Sequence, residues 1–467
     1  MENKHLYYQE NDYKLYQGKM QEVLATFDEE SVDSIICDPP YELNFMGKGW
    51  DNSGVAFQKE TWEHCFKVLK EGGYLLAFGG SRTFHRIACA IEDAGFEIRD
   101  CIMWLYGSGF PKSMNIGLAI DKKLGLQGQR GLGGISSYGG ILGQRERTAT
   151  LYNSNESTNG SYNEYKSELA KKWAGWGTAL KPAYEPIIVA RKPFKCSLVE
   201  NIMQNGVGGL NIDECRIPTK DDLSRINRLD NGMFGVGNNN NTAQQCKEAG
   251  IEYGGRFPAN VILTYDETDY NEVCGGMPKT KSTTTTTMPN LSDKNAEAGI
   301  YSKINAERLE HLGGYNDEGS SSRYFYCAKA SKKDRDEGLE LFEAKQKPEY
   351  CLQYHNGEKR NENATKKNIH PTVKPVELMQ YLIRLVTPKN GIILDCFMGS
   401  GSTGKAVMFE NRERNANYTF IGVEMTQEYL PICKSRIDYA KNKYEYELIK
   451  EKQELEEKGI ISIFDFL

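Results

Sequence analysis

The sequence has no Cys-x-x-Cys pair and no tight cluster among its twelve cysteines. That removes the common zinc spacings and a disulfide scaffold, and leaves reduced thiols in a cytoplasm as the expectation. No apolar run approaches the ~20 residues that span a bilayer, so no membrane association is expected. The opening MENKHLYYQE carries no apolar core of a secretory signal. There are no internal repeats. A net charge of -6 neither points to nucleic acid nor excludes it, because a DNA enzyme needs only a local basic cleft. What remains is a 467-residue chain that is 39% hydrophobic, enough for a packed core in roughly two or three domains.

Strand and helix patterns alternate at both ends of the chain. Residues 32–37 and 74–78 are apolar strand candidates, the second closed by Gly79-Gly80. Residues 62–69 and 84–94 have helical spacing, with Gly95 placed to end the second helix. Residues 98–105 and 183–192 have strand character. Near the other end, residues 375–386 predict an amphipathic helix with a proline at its start, 391–394 and 418–423 predict strands, and 432–457 a long charged helix. Between them the chain turns polar and irregular, with GLGGISSYGG, consecutive asparagines from Asn238 to Asn241 and a threonine run from Thr283 to Thr287. The alternation predicts an α/β fold, a doubly wound and mostly parallel sheet. Neither half has enough strands alone, so the two are expected to share one sheet, with the middle emerging as a separate lobe. The expected divisions are 1–193 with a loop-rich insertion at 108–180, then 194–322, 323–447, and a charged tail at 448–467.

Two motifs carry the chemistry. In SIICDPPY an apolar strand ends in Asp38-Pro39-Pro40-Tyr41; two prolines that stop a buried strand are the plain alternative. In GIILDCFMGSGSTGK a strand runs into Asp395, followed by Phe397, Gly399, Ser400 and Gly401, and then Ser402 and Thr403 open a helix. Such glycines let the backbone approach a ligand where a Cβ would clash, and a loop at a strand's C-terminal end is where open α/β sheets bind ligands. Ala406 after Lys405 breaks the Walker A pattern, and G-x-G-x-x-G is absent. The next strand, YTFIGVEM, ends in Glu424, and an acid at that tip can take both hydroxyls of a ribose. Taken singly, each is also what a tight turn or a solvated strand end looks like. Together they suggest a nucleoside cofactor without a pyrophosphate, and S-adenosylmethionine fits.

The chain resembles the amino-methyltransferases that act on DNA bases. Asp38-Pro39-Pro40-Tyr41 matches their D/N/S-P-P-Y/F motif, DCFMGSGST is similar to their D-P-F-x-G-S-G-T-T cofactor loop, and HPTVKP is similar to the segment preceding that loop. Catalytic motif first and cofactor loop last is the circularly permuted order of the beta class, whose recognition domain lies between the halves. The resemblance implies a Rossmann-like class I fold, S-adenosylmethionine as cofactor, and a cofactor site of Thr372, Lys374, Asp395, Phe397, Gly399, Ser400, Gly401, Ser402, Thr403 and Glu424. Lys374 would meet the cofactor carboxylate; a solvated lysine at a helix start is the alternative. The chain departs from the family at Cys396, where proline is usual, at Ser402-Thr403 for Thr-Thr, and at Lys19, where an aspartate usually follows the glycine.

An exocyclic base amine is a poor nucleophile because its lone pair is delocalised into the ring. Two acceptors aimed at its hydrogens, the Asp38 carboxylate and the Pro39 carbonyl, pull it toward tetrahedral geometry, and the prolines keep both aimed. No metal is needed. Double-stranded DNA is the implied partner, with the target base flipped out to be reached and stacked on Tyr41. Trp104 is expected as a second wall, or else as a core tryptophan at a strand end. The segment FMGKGWD is expected as a flap or a plain glycine-rich loop. Aspartate at the first motif position leans by association toward N6 of adenine; N4 of cytosine, and a non-catalytic DNA-binding protein with a relic fold, stay open. Residues 194–322 are expected to read the DNA sequence, and KASKKDR to meet phosphates or solvent. ISIFDFL resembles a sliding-clamp peptide without its leading glutamine, the alternative being an apolar end packed on its own helix. A homodimer and a restriction endonuclease partner are left open.

Overall fold

The computed structural model describes residues 3–43, 49–106, 113–126, 165–217, 255–265, 279–282, 317–320, 325–329, 334–346, 354–355, 358–359 and 365–443. The tail peptide ISIFDFL, most of the FMGKGWD segment, much of the 108–180 insertion and most of the 194–322 segment lie outside these residues.

Ten strands form one sheet: β1 Leu6–Gln9, β2 Tyr13–Gln17, β3 Val32–Cys37, β4 Leu69–Phe78, β5 Glu97–Tyr106, β6 Tyr184–Arg191, β7 Val261–Tyr265, β8 Tyr326–Lys329, β9 Ile392–Asp395 and β10 Thr419–Glu424. Their spatial order is β1-β2-β10-β9-β3-β4-β6-β5-β7-β8. Only β1 and β6 run antiparallel to their neighbours; the other eight are parallel. Helices α1 Met20–Leu24, α2 Lys59–Val68 and α3 Phe84–Asp93 pack on one face; α7 Val376–Val386, α8 Ser402–Arg414 and α9 Leu430–Lys441 pack on the other. Three shorter helices, α4 Ile116–Lys123, α5 Glu168–Lys172 and α6 Leu198–Asn205, lie between these groups in sequence. Covered on both faces, β9 is apolar up to its terminal Asp395, and β3 is buried throughout although Asp33 and Ser34 lie within it.

The two ends of the chain do share the sheet. In the centre β9 pairs with β3, Ile393 opposite Ser34 and Leu394 opposite Ile35, and toward one edge β10 pairs with β2. Asp33 fastens the central joint. Its Oδ2 accepts from the Ile392 amide at 2.6 Å and its Oδ1 from Lys70 at 2.6 Å. Ser34 and Thr387 add a hydroxyl pair at 2.8 Å. At the edge, Tyr13 donates to Asp438, and Lys441 reaches Glu10 and Asp12 at 2.7 and 2.8 Å.

Three elements differ from the pattern reading. Strand β4 begins at Leu69, five residues earlier than expected, because the glycine pair continues the strand through an irregular step: Gly72 sits at φ +82° and the register with β3 shifts there. The 375–386 helix is not amphipathic in its surroundings. Nine of its residues are buried, since α8 covers one side and Tyr381 stacks on Tyr326 of β8 at 4.1 Å on another. Finally, Val261–Tyr265, inside the segment expected to read DNA, joins the catalytic sheet beside β5.

Asp33→Ala should cost about 1–3 kcal/mol, because it strands the Ile392 amide at the central joint. Urea unfolding of the full chain measures this, and an Asp33→Asn variant that keeps one acceptor should recover part of the loss.

Candidate active site

A cavity of about 1020 Å³ opens where β3, β9 and β10 end, lined by both sequence motifs. Asp38, Pro39, Pro40 and Tyr41 from the end of β3 face it together with Thr372, Lys374, Phe397, Gly399 and Glu424. Parallel pairing causes the meeting: neighbouring strands that run the same way deliver their following loops to the same edge.

The glycine loop is built by backbone requirement. Gly399 and Gly401 adopt φ of +56° and +76°. A Cβ on Gly399 would lie 2.9 Å from His370 Nε2, and one on Gly401 3.0 Å from the Cys433 Cα. Asp395 is buried and accepts from Thr403 Oγ1 at 2.5 Å and from the Phe397 amide at 3.1 Å, folding the loop back onto α8. Burial pushes the Asp395 carboxyl well above the usual carboxylate range, although these bonds pull the other way. Glu424 accepts from the Gly399 amide at 2.9 Å and the Thr426 amide at 2.7 Å. Its carboxyl is also raised by burial. Each oxygen has a second lone pair, so the acid can still receive two hydroxyls. Ser400 and Ser402 are buried behind the loop.

That burial has a partner the sequence did not advertise. Arg436 of α9 is fully buried, and its Nη1 donates to the Ser400 carbonyl at 2.7 Å, Ser400 Oγ at 3.1 Å and Ser402 Oγ at 3.2 Å. Its Nη2 donates to the Asp334 carbonyl at 3.1 Å, and Lys405, also fully buried, pairs with Asp334 at 2.7 Å and Glu337 at 3.1 Å. Of KASKKDR, residues 330–333 lie outside the described set. Its Asp334 also takes the Val376 amide, and Arg335 donates to the His370 and Asn368 carbonyls. These two residues brace the HPTVKP segment. His370 Nδ1 donates to the Thr372 carbonyl, and its ring stands edge-on to Tyr429. Desolvation, helped by the nearby cations Arg335, Lys374 and Arg436, pushes the imidazole down to about 4, so it is neutral at pH 7.

At the catalytic end, Lys374 donates to Asp38 Oδ2 at 2.7 Å and to the Tyr41 hydroxyl at 3.2 Å, and reaches Glu185 Oε2 at 3.3 Å. Lys374 lines the cavity, and its ammonium engages Asp38. Burial disfavours its charge, but Asp38 and Glu185 outweigh burial and hold the Lys374 pKa above its usual value. Tyr41 donates to Glu185 at 2.7 Å. Burial and the two acids push its phenol well up, so it stays neutral. Asp38 Oδ1 is enclosed and has no hydrogen-bond partner among the described residues. Trp104, expected as a wall of the base pocket, is a core residue: it is 7% exposed, packs edge-on against Phe78 and donates to Thr264 at 2.8 Å. Two residues along the strand, Tyr106 lines the cavity in its place. The departures Lys19 and Cys396 also line it, and Cys396 lies 3.8 Å from Cys65, sulfur to sulfur.

A family profile described as DNA methylase, of the N6/N4 type, matches residues 32–435. Among curated proteins the chain is similar to the type II methyltransferase M.HindIII of Haemophilus influenzae, 26% identical over 156 residues, covering 32% of this chain and 37% of the relative. It is also similar to the type II methyltransferase M.HpaI of Haemophilus parainfluenzae, 32% identical over 111 residues, 22% of this chain and 34% of the relative. The chain thus spans about a third of the length of these two relatives. A solved structure titled as the PvuII cytosine-N4-specific DNA methyltransferase aligns over 93% of this chain and 89% of its own, at 14% identity and a TM-score of 0.40.

Because the folded His370 pKa lies below the ordinary value of about 6.5, its neutral form contributes stability that is complete above that pH. The contribution is lost as pH falls toward 4. A His370→Gln variant should show a flatter stability-against-pH curve between those limits, read by urea midpoints across the range. Gly401→Ala should weaken ligand binding at the loop by at least about tenfold, since it combines a disfavoured φ with the Cys433 backbone contact; calorimetric titration measures it.

Proposed function

Since the chain belongs to the DNA methylase family of N6/N4 methyltransferases, we propose that it transfers a methyl group from S-adenosylmethionine to the exocyclic N6 amine of an adenine flipped out of double-stranded DNA. The observation that carries this reading is Asp38: one carboxylate oxygen is held by Lys374, and the other is enclosed with no partner among the described residues, at a cavity that Gly399 also lines. An acceptor left in that state costs free energy unless a donor arrives, and an amine N–H is such a donor.

The residues present fit the cofactor. A tight loop that turns at Gly399 and Gly401 with positive φ, the apolar ring of Phe397 and the Glu424 carboxylate at the next strand tip suit a nucleoside with a free ribose. When bound, the cofactor supplies a methyl carbon on a positively charged sulfur and leaves as a neutral thioether. Ser400, Ser402 and Thr403 hold the loop's shape through Arg436 and Asp395. Thr372 and His370 close its other side.

Asp38 Oδ1 and the Pro39 carbonyl accept the two amine hydrogens and draw the nitrogen lone pair out of conjugation. With the cofactor bound, that lone pair would take the methyl carbon as the S–C electron pair leaves with sulfur. The nitrogen then carries the positive charge until it releases a proton to Asp38 or water. Tyr41, neutral and braced by Glu185, offers its ring face to the base, and such stacking is worth ~1–3 kcal/mol. Positioning of the two reactants supplies much of the rate. The adenine assignment is supported by aspartate at the first motif position, and residues 194–322 are proposed to read the DNA sequence.

Asp38→Ala should abolish transfer of labelled methyl to DNA while affinity for the neutral product S-adenosylhomocysteine changes less than about threefold, since the carboxylate serves the amine rather than the loop. Equal loss of both would overturn the role given to Asp38. Nucleoside analysis of methylated DNA should give N6-methyladenine; N4-methylcytosine would overturn the base assignment. Tyr41→Phe should retain most activity and Tyr41→Ala should lose about tenfold or more.

A further inference from the structure

Glu185 belongs to neither sequence motif. It stands at the start of β6, and β6 is antiparallel to β4 and β5. An antiparallel strand brings its beginning, not its end, to the edge where its parallel neighbours finish, so Glu185 lands in the cavity beside Tyr41 and Tyr106. Its Oε2 accepts from Tyr41 at 2.7 Å and faces Lys374 at 3.3 Å, and its Oε1 accepts from the Tyr106 hydroxyl at 3.3 Å.

Lys374 is the reason this matters. Its side chain is one-tenth exposed and its ammonium sits over the rings of Phe78 at 4.9 Å, Tyr41 at 5.3 Å and Trp104 at 5.8 Å. A cation so enclosed in contact with Asp38 would cancel the charge of that carboxylate. Methyl transfer leaves a positive charge on the target nitrogen beside Asp38, and a neutral pair stabilises it poorly. With Glu185 included, two carboxylates and one ammonium sum to -1.

Resting on the function proposed above, we infer that Glu185 is a positioning residue whose carboxylate balances Lys374, so that Asp38 meets the target amine with its negative charge uncancelled. It also holds Tyr41 through the phenol, but the charge is the essential contribution. This excess is local to the Asp38–Glu185–Lys374 cluster at one side of the cavity, whose lining also holds Lys19, Arg82 and Lys181 as well as Asp51 and Glu424; placed where the sulfonium would face it, the cluster should favour that cation over its neutral thioether product.

That preference supplies a readout independent of turnover. On the full chain without DNA, titration calorimetry gives the affinities for S-adenosylmethionine and S-adenosylhomocysteine. Glu185→Gln should cut the ratio favouring the sulfonium by about fivefold or more, and should lower kcat for labelled-methyl transfer to DNA by about tenfold or more. Adding Lys374→Met to Glu185→Gln returns the cluster to -1 and should recover part of both losses. Equal weakening of both ligands, an unchanged ratio, or a double variant no better than Glu185→Gln would overturn the inference and leave Glu185 a mere anchor for Tyr41. A wild-type chain that moves no methyl to DNA would instead remove the underlying function, and the ligand ratio would still report the charge balance.

Discussion

The central joint of the sheet is the pairing of β3 with β9, held by one buried carboxylate. Asp33 bonds the Ile392 amide across 359 residues of sequence, and the two following residue pairs lock in parallel register. Everything chemical follows from that register. Slipping it by one residue would reverse the faces of every side chain on β9 and separate Asp38 from the loop that begins at Asp395. The site therefore depends on an interaction that itself touches no ligand.

Behind the cavity, charge is arranged in two tiers. Around the glycine loop, Arg436 and Lys405 are wholly buried and answered by Asp334, Glu337 and the loop's own carbonyl and hydroxyls. Removing one member of such a set strands the rest, which is costly. On the base side, Lys374 is shared between two acids and ringed by aromatic faces. The first tier fixes a backbone shape; the second sets the field in which the amine reacts.

Much of this was legible in the chain. Asp38 to Tyr41 and Asp395 to Thr403 declare themselves because turn chemistry, glycine placement and strand ends are local properties. So are the boundaries of β3, matched residue for residue at Val32–Cys37. Glu185, Arg436 and Lys405 were not legible as site residues, since each acts through a partner far away in sequence, and an isolated charge in a strand or helix reads as surface. The one available signal was in AYEPIIVARK, where an acid stands at the head of a strand just ahead of its apolar run. Motif position placed Lys374 at the cavity, and of the two readings open for Trp104 the structure has the core one. The helix Val376–Val386 has amphipathic spacing, but what covers its polar positions lies far away in sequence: Glu410 of α8 meets both Gln380 and Arg384.

A sheet whose middle strand is the second to last in the chain imposes an order on synthesis. When β3 leaves the ribosome, one of its edges has no companion until the segment carrying β9 follows, some 359 residues later. At roughly 5–20 residues per second, that interval is about 20–70 s. During it an apolar ribbon with unsatisfied amides is open to wrong pairing with other chains. Nascent-chain chaperones therefore have a defined window in which to act, and truncated products ending before residue 392 should be far more prone to clumping than the finished polypeptide.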